Sequence, residues 1–268
     1  MPAYGRSSAY AHPVLRITDA RTGETVDAAP ARRGLTRVQA HASEPGPSAL
    51  RVLLVADLLV RALELGGTPV LAMLSGHRGR AELRAAAATL GIRPFEDAHD
   101  LASGPGEAQT VHVVEEGGEV PGSGVVVGVA PVVGADAPGP AGQAAPSGSA
   151  LPDPLTDPSA LRLALLSGPR GTPVRLDTDA LDEAGRTLAR WRRAVATWAR
   201  QPSRPIPDEV RGRLRAAWED DLDVPEVLRV LRRVETTADL PDGARFETYA
   251  YTDRLLGLEL ARDLGTLS

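Results

Sequence analysis

Thr36-Arg37-Val38-Gln39-Ala40-His41-Ala42, followed by Ser43-Glu44-Pro45-Gly46-Pro47 and then by Ser48 through Leu65 to Gly66-Gly67, decides the fold class. Val38, Ala40 and Ala42 alternate with Arg37, Gln39 and His41, the two-residue period of a half-buried strand. The Pro/Gly loop turns the chain. Ser48 is then placed to cap a helix carrying Leu53, Leu54, Asp57, Leu58, Arg61 and Leu65, stopped at Gly66-Gly67. Val70 to Leu74 reads as a second apolar strand. Strand, helix and strand in this order predict a right-handed crossover and a parallel pair. Working outward, a helix over Ala81–Leu90 ends at Gly91, and strands follow over Thr110–Glu115 and Gly124–Val133. The last of these is apolar enough for a position buried on both faces.

From Gly134 to Ala150 only Asp136 and Gln143 are not Gly, Ala, Pro or Ser. Such a stretch cannot bury enough apolar surface to offset its ordering entropy, so it reads as a linker or mobile loop. Beyond it the pattern turns helical. Asp157-Pro158 supplies an N-cap and an N1 proline for a helix over Ser159–Leu166. A longer helix begins near Thr178, with Leu181, Ala184, Leu188, Trp191, Val195 and Trp198 on one face. Asp208-Glu209 open another. Asp223 and Glu226 open a third at capping-box spacing, with Val227, Leu228, Val230 and Leu231 inward. A final helix is expected over Phe246–Leu264. The expected layout is a truncated Rossmann-like α/β domain over 1–133, a linker over 134–150, and an all-α helical bundle over 151–268.

The 268 residues are 43% hydrophobic but only 3% aromatic, so the core must be built from Ala, Leu and Val. All 30 positive charges are arginine; the chain has no lysine. With no cysteine, disulfides, thiolate zinc sites and cysteine nucleophiles are excluded. A net charge of -5 gives no general reason to expect DNA or RNA binding. Met1 to His12 carries no secretory pattern and no apolar run is long enough to span a bilayer, so a cytoplasmic protein without membrane contact is expected.

Asp157-Pro158-Ser159-Ala160-Leu161-Arg162-Leu163, then Thr172-Pro173-Val174-Arg175-Leu176 leading into Leu181-Asp182-Glu183-Ala184, form an ordered series. Trp191-Arg192-Arg193-Ala194-Val195, Asp220-Asp221-Leu222-Asp223-Val224-Pro225-Glu226 and Leu255-Leu256-Gly257-Leu258 continue it. The series resembles the helical half of class I cysteinyl-tRNA synthetases, and of the related mycothiol cysteine ligases, over roughly 150–265. Asp57-Leu58-Leu59-Val60-Arg61-Ala62-Leu63-Glu64 is similar to the helix that follows the nucleotide signature of that family. The resemblance implies a nucleotide-type fold and ATP-dependent activation of an amino acid. It also implies two signature histidines, near Gly46-Pro47-Ser48-Ala49, and a lysine loop near 134–150. Neither the histidines nor any lysine is present, and the cysteines that hold the family's zinc are missing too. Developing charge on a phosphate oxygen is therefore left without the family's donors, and one such donor is worth about 3 to 4 kcal/mol.

Substrate-binding candidates are accordingly His41 and Ser43 at the end of the first strand, Gly46 and Ser48 at the helix start, and Gly76 and Arg78 in Ser75-Gly76-His77-Arg78-Gly79. Ordinary polar loop ends explain the same residues. No residue is assigned a catalytic role or a metal. Between Arg186 and Arg215 nine arginines meet only Asp208 and Glu209, an excess of seven positive charges. That stretch reads either as an RNA-contacting face or as solvated helix surface in a lysine-free chain. Three functions follow as expectations: a non-catalytic binding or partner protein on this scaffold, an ATP-dependent ligase or transferase with a rebuilt site, or a tRNA-binding module. ATP is the one cofactor the resemblance brings, and no zinc is expected. The partner is a protein or a nucleotide or amino-acid ligand, not DNA.

Overall fold

The computed structural model describes residues 14–30, 34–42, 44–76, 79–97, 109–120, 122–134 and 157–265. A short hairpin, β1 (Arg16–Thr18) and β2 (Thr25–Asp27), precedes the first sheet strand, β3 (Thr36–His41). Then come α1 (Pro47–Leu65), β4 (Val70–Ser75), α2 (Arg80–Thr89), β5 (Glu96–Asp97), β6 (Gln109–Glu115) and β7 (Val125–Val129). The five sheet strands are all parallel and lie in the order β5-β4-β3-β6-β7. Numbered from β3, this is the 3-2-1-4-5 order of a Rossmann-type sheet. The alternation read in Thr36–His41 holds: Val38 and Ala40 are fully buried, while Arg37, Gln39 and His41 are half-buried.

The strand expected over Gly124–Val133 is two strands. β7 stops at Val129, and Pro131 follows Ala130 before β8 (Val132–Gly134) begins. β8 leaves the main sheet to pair in parallel with β9 (Val174–Leu176). Proline has no N–H for a ladder, which suits the break. The 134–150 linker lies outside the described residues except for Gly134.

The helical half begins with α3 (Pro158–Leu165), followed after β9 by α4 (Thr178–Trp198), α5 (Asp208–Glu219), α6 (Val224–Thr236) and α7 (Asp242–Leu256). Its caps are those the sequence names. Asp157 accepts from the Ser159 N–H at 2.9 Å and Asp223 from the Glu226 N–H at 3.0 Å. The last helix is displaced from its expected bounds: it starts at Asp242 and ends at Leu256, eight residues before Leu264, with the left-handed Gly257 as its C-cap. Ser48 does not cap α1. Gly46 holds the N-cap position, Pro47 is the first helical residue, and the Ser48 hydroxyl accepts from the Val132 N–H at 3.0 Å.

α1 explains how the two halves meet. Fourteen of its 19 residues are buried, including Arg51 and Asp57. A helix apolar on all sides belongs in an interior. One side of α1 covers the sheet and the other meets α7, so a single core runs from Val38 and Val113 through Leu54 and Leu58 to Leu255 and Leu256. Asp57 receives Arg162 of α3 at 2.8 Å, Arg61 at 2.8 Å and Arg93 at 3.1 Å. Burial alone would push the Asp57 carboxyl up, but the guanidiniums of Arg162 and Arg61 hold it below the ordinary carboxylate range. Arg162 also donates to the Leu256 and Leu90 carbonyls, at 2.6 and 3.1 Å, satisfying helix-end acceptors that no helix can satisfy for itself. No helix among the described residues is long and apolar enough to cross a membrane.

Candidate functional site at the sheet switch point

Chain direction across the sheet reverses between β3 and β6, where open α/β folds bind ligands beyond the strand ends. α1 packs on the face carrying Val38, Ala40, Val111, Val113 and Val127. Parallel partners in register share a face, so Gln39, His41, Ser75, His112 and Val114 project from the other. That face is polar where the first is apolar. Gln39 donates to the Ser75 hydroxyl, and His41 Nε2 lies 3.0 Å from His112 Nδ1.

The proton positions on this pair follow from its far end. His112 Nε2 is 3.3 Å from the Ser123 carbonyl, which can only accept, so Nε2 carries the proton. Nδ1 of a neutral His112 is then an acceptor, and His41 Nε2–H donates to it. This leaves His41 Nδ1 with a bare lone pair at the end of a two-imidazole chain. Desolvation, and then the neighbouring His112, bring the His41 pKa down to about 4. His112 is also lowered, first by desolvation, against an opposing contribution from the Ser123 carbonyl. Both rings are neutral at pH 7, with their N–H groups already spent.

Other expected residues are only partly gathered here. Gly76 sits at the end of β4, where an added Cβ would lie 2.3 Å from the Ala42 carbonyl oxygen; the bare Cα lets the β3 and β4 ends close on each other. Its own carbonyl accepts from Arg80, which also pairs with Asp97 at 2.6 Å. Gly46 stands at the start of α1 without a contacting side chain, and Ser48 is committed to Val132. Ser43, His77 and Arg78 lie outside the described residues.

Over β6 and β7 lies a cavity of about 560 Å³, lined by Arg21, Val114, Glu116-Gly117-Gly118-Glu119, Val126, Gly128 and Arg170; neither histidine lines it. Its two cations are occupied. Arg21 donates to the Gly124 and Gly122 carbonyls at 3.2 and 3.1 Å. Arg170 donates to the Gly128 carbonyl at 2.8 Å and pairs with Asp221. Asp221 in turn accepts from the Thr18 N–H at 2.8 Å, so the acidic run of the family-like series docks the β1–β2 hairpin. A triphosphate needs several cations and free N–H donors; here both guanidiniums are largely committed, and the Nε of Arg170 is the one guanidinium donor that is buried without a partner. Among the described residues no three His, Asp or Glu side chains are grouped to hold a metal ion. His112 and Arg170 were missed in the sequence. Both act through partners distant along the chain, and only the β3–β6 pairing brings His112 to His41.

No family model matches the chain. Part of it is similar to curated ligases. It is 43% identical over 75 residues to the L-cysteine:1D-myo-inositol 2-amino-2-deoxy-alpha-D-glucopyranoside ligase of Mycolicibacterium smegmatis, covering 28% of this chain and 17% of the relative. Against the ligase of the same name from Segniliparus rotundus, identity is 37% over 108 residues, covering 39% of this chain and 25% of that one. The counterpart in Streptosporangium roseum gives 37% over 108 residues and 26% of its length. The chain thus matches about a quarter or less of these relatives.

Proposed function

We propose that this chain uses a cysteine-ligase-type scaffold to bind a ligand or partner without activating an amino acid. The observation that carries this reading is the His41–His112 pair. Among the described residues, the two histidines at the switch point are neutral, bonded to each other, and have no N–H left for a phosphate oxygen. Ser48, in the segment where the family resemblance calls for signature histidines, accepts from a backbone N–H and is a single neutral hydroxyl in place of two imidazoles. Arg21, Arg80 and Arg170 are engaged by carbonyls and carboxylates. Electrostatic stabilisation of the developing phosphate charge is the largest catalytic term, and losing even one donor costs about 10²- to 10³-fold in rate. What the switch point offers instead is His41 Nδ1, an acceptor for a neutral hydroxyl or amine.

The test is cysteine-dependent exchange of labelled pyrophosphate into ATP, run beside thermal shifts with cysteine and a non-hydrolysable cysteinyl-adenylate. No exchange above background is expected. Cysteine-dependent exchange that disappears in His41→Ala would overturn the reading and make the chain a ligase with a rebuilt site.

A further inference from the structure

The helical half holds a second, unrelated feature. Its arginines are mostly neutralised: Arg186 by Glu183, Arg190 by Glu235, Arg192 by Asp157, Arg213 by Glu209, Arg215 by Glu219 and Arg245 by Asp242. Arg204, Arg211 and Arg254 are different. Among the described residues none of the three guanidiniums meets a carboxylate, yet all three line one cavity of about 380 Å³. Its other polar side chains are Ser203, Tyr251 and Glu247, and Glu247 accepts from the Ser203 hydroxyl at 2.7 Å. Three cations against one carboxylate leave an uncompensated charge of two.

The cavity is held open by rigid parts. The 202–207 segment is extended, carries three prolines and buries Ile206. It presses on the start of α7 at Gly243, where a Cβ would fall 2.0 Å from the Pro202 carbonyl oxygen, so only glycine admits the approach. Arg211, in the first turns of α5, lies over the Tyr251 ring at 5.6 Å, and Trp218 packs on the same ring at 5.4 Å. Arg254 closes the pocket from the last turn of α7. Like charges converging from three supports repel, and the one carboxylate in the pocket, Glu247, bonds to Ser203 rather than to any of them. Planar guanidiniums match phosphate oxygens in bidentate fashion, more selectively than an ammonium does.

We propose that this pocket binds the phosphate group of a small phosphorylated molecule. The pocket is open to solvent on one side, and its volume is within the range of small-molecule sites. RNA backbone carries the same chemistry and is the competing source.

The experiment titrates the full chain with inorganic pyrophosphate at low salt, by calorimetry and by fluorescence of the tryptophans, since Trp218 sits behind Tyr251. A 20-nucleotide single-stranded RNA is titrated in parallel. Arg204→Gln, Arg211→Gln and Arg254→Gln serve as variants, each checked for an unchanged melting curve. Saturable pyrophosphate binding that falls about ten- to hundredfold in each variant is expected, the loss of one charge-assisted hydrogen bond. No saturation, or saturation indifferent to all three substitutions, overturns the proposal. RNA binding that depends on the same arginines, without pyrophosphate saturation, also overturns it and assigns the surface to nucleic acid.

Discussion

The arginines of the α1–α3–α7 junction and those of the pocket beside α5 are the same residue in opposite circumstances. Arg162 is fully buried and ends on Asp57 and two carbonyls. Arg51, also buried, ends on the carbonyls of Ala130, Thr172 and Pro169. Arg204, Arg211 and Arg254 are exposed and end on no carboxylate. A lysine-free chain gives one side chain both duties, and the surroundings decide which one each copy performs. Where burial is complete the guanidinium gathers acceptors from several elements (only the Nε of Arg51 is left without one), and the arginine becomes structural. Where acceptors are withheld, the charge is left for something outside the chain.

The largest effect should come from breaking the junction. Arg162→Met leaves Asp57 without its buried partner and two helix-end carbonyls without donors. Urea unfolding should show a loss of about 3 to 5 kcal/mol, the usual cost of removing one member of a buried pair. A loss under 1 kcal/mol would mean that Arg61 and Arg93 suffice. Ser48→Ala should cost less, about 1 to 3 kcal/mol, because it orphans the buried Val132 N–H. If Ser48 instead served only a ligand, the unfolding midpoint would not move.

A pH series sharpens the contrast at the sheet. The folded-state pKa of His41 is depressed to about 4, below its ordinary 6.5. Below 6.5 the unfolded chain takes up protons that the folded chain refuses. The stability contributed by the neutral ring is therefore complete above pH 6.5 and declines as pH falls toward about 4. His41→Gln should flatten that decline while leaving the loss at lower pH, where Asp57 and Asp157 titrate. The smallest effects are expected at the pocket: Arg204→Gln and Arg254→Gln should each stay within about 0.5 kcal/mol of the parent in urea unfolding, as for exposed positions without a carboxylate partner, and Arg211→Gln should cost about 0.5 to 1 kcal/mol through its contact with the Tyr251 ring. A large loss there would make the pocket arginines structural after all.

The α/β class was legible because Val38, Ala40 and Ala42 keep a strict two-residue period and α1 runs unbroken to Gly66. Of the helices after Asp157, α3 and α6 were legible through their caps, Asp157 and Asp223, and α4 through the spacing of Leu188, Trp191, Val195 and Trp198. Ser48 misled because a serine after a Pro/Gly loop looks like an N-cap, while Pro47 already satisfies the first helical position. The end of α7 misled because Leu258 and Leu260 continue an apolar pattern that the left-handed turn at Gly257 has already stopped. His41 could be read as a strand-end residue, but its partner could not: His112 lies 71 residues away and reaches it only through sheet register. The arginine excess over 186–215 was visible as a sum. Which of those charges would find a carboxylate depended on packing between helices.

The decisive measurement is calorimetric titration of ATP into three proteins: the parent, a combined Arg204→Gln/Arg211→Gln/Arg254→Gln variant, and His41→Ala. Binding through the phosphates should vanish in the triple variant and be unchanged in His41→Ala. ATP binding that survives in the triple variant and is lost in His41→Ala would contradict this, and would restore the sheet switch point as a working nucleotide site.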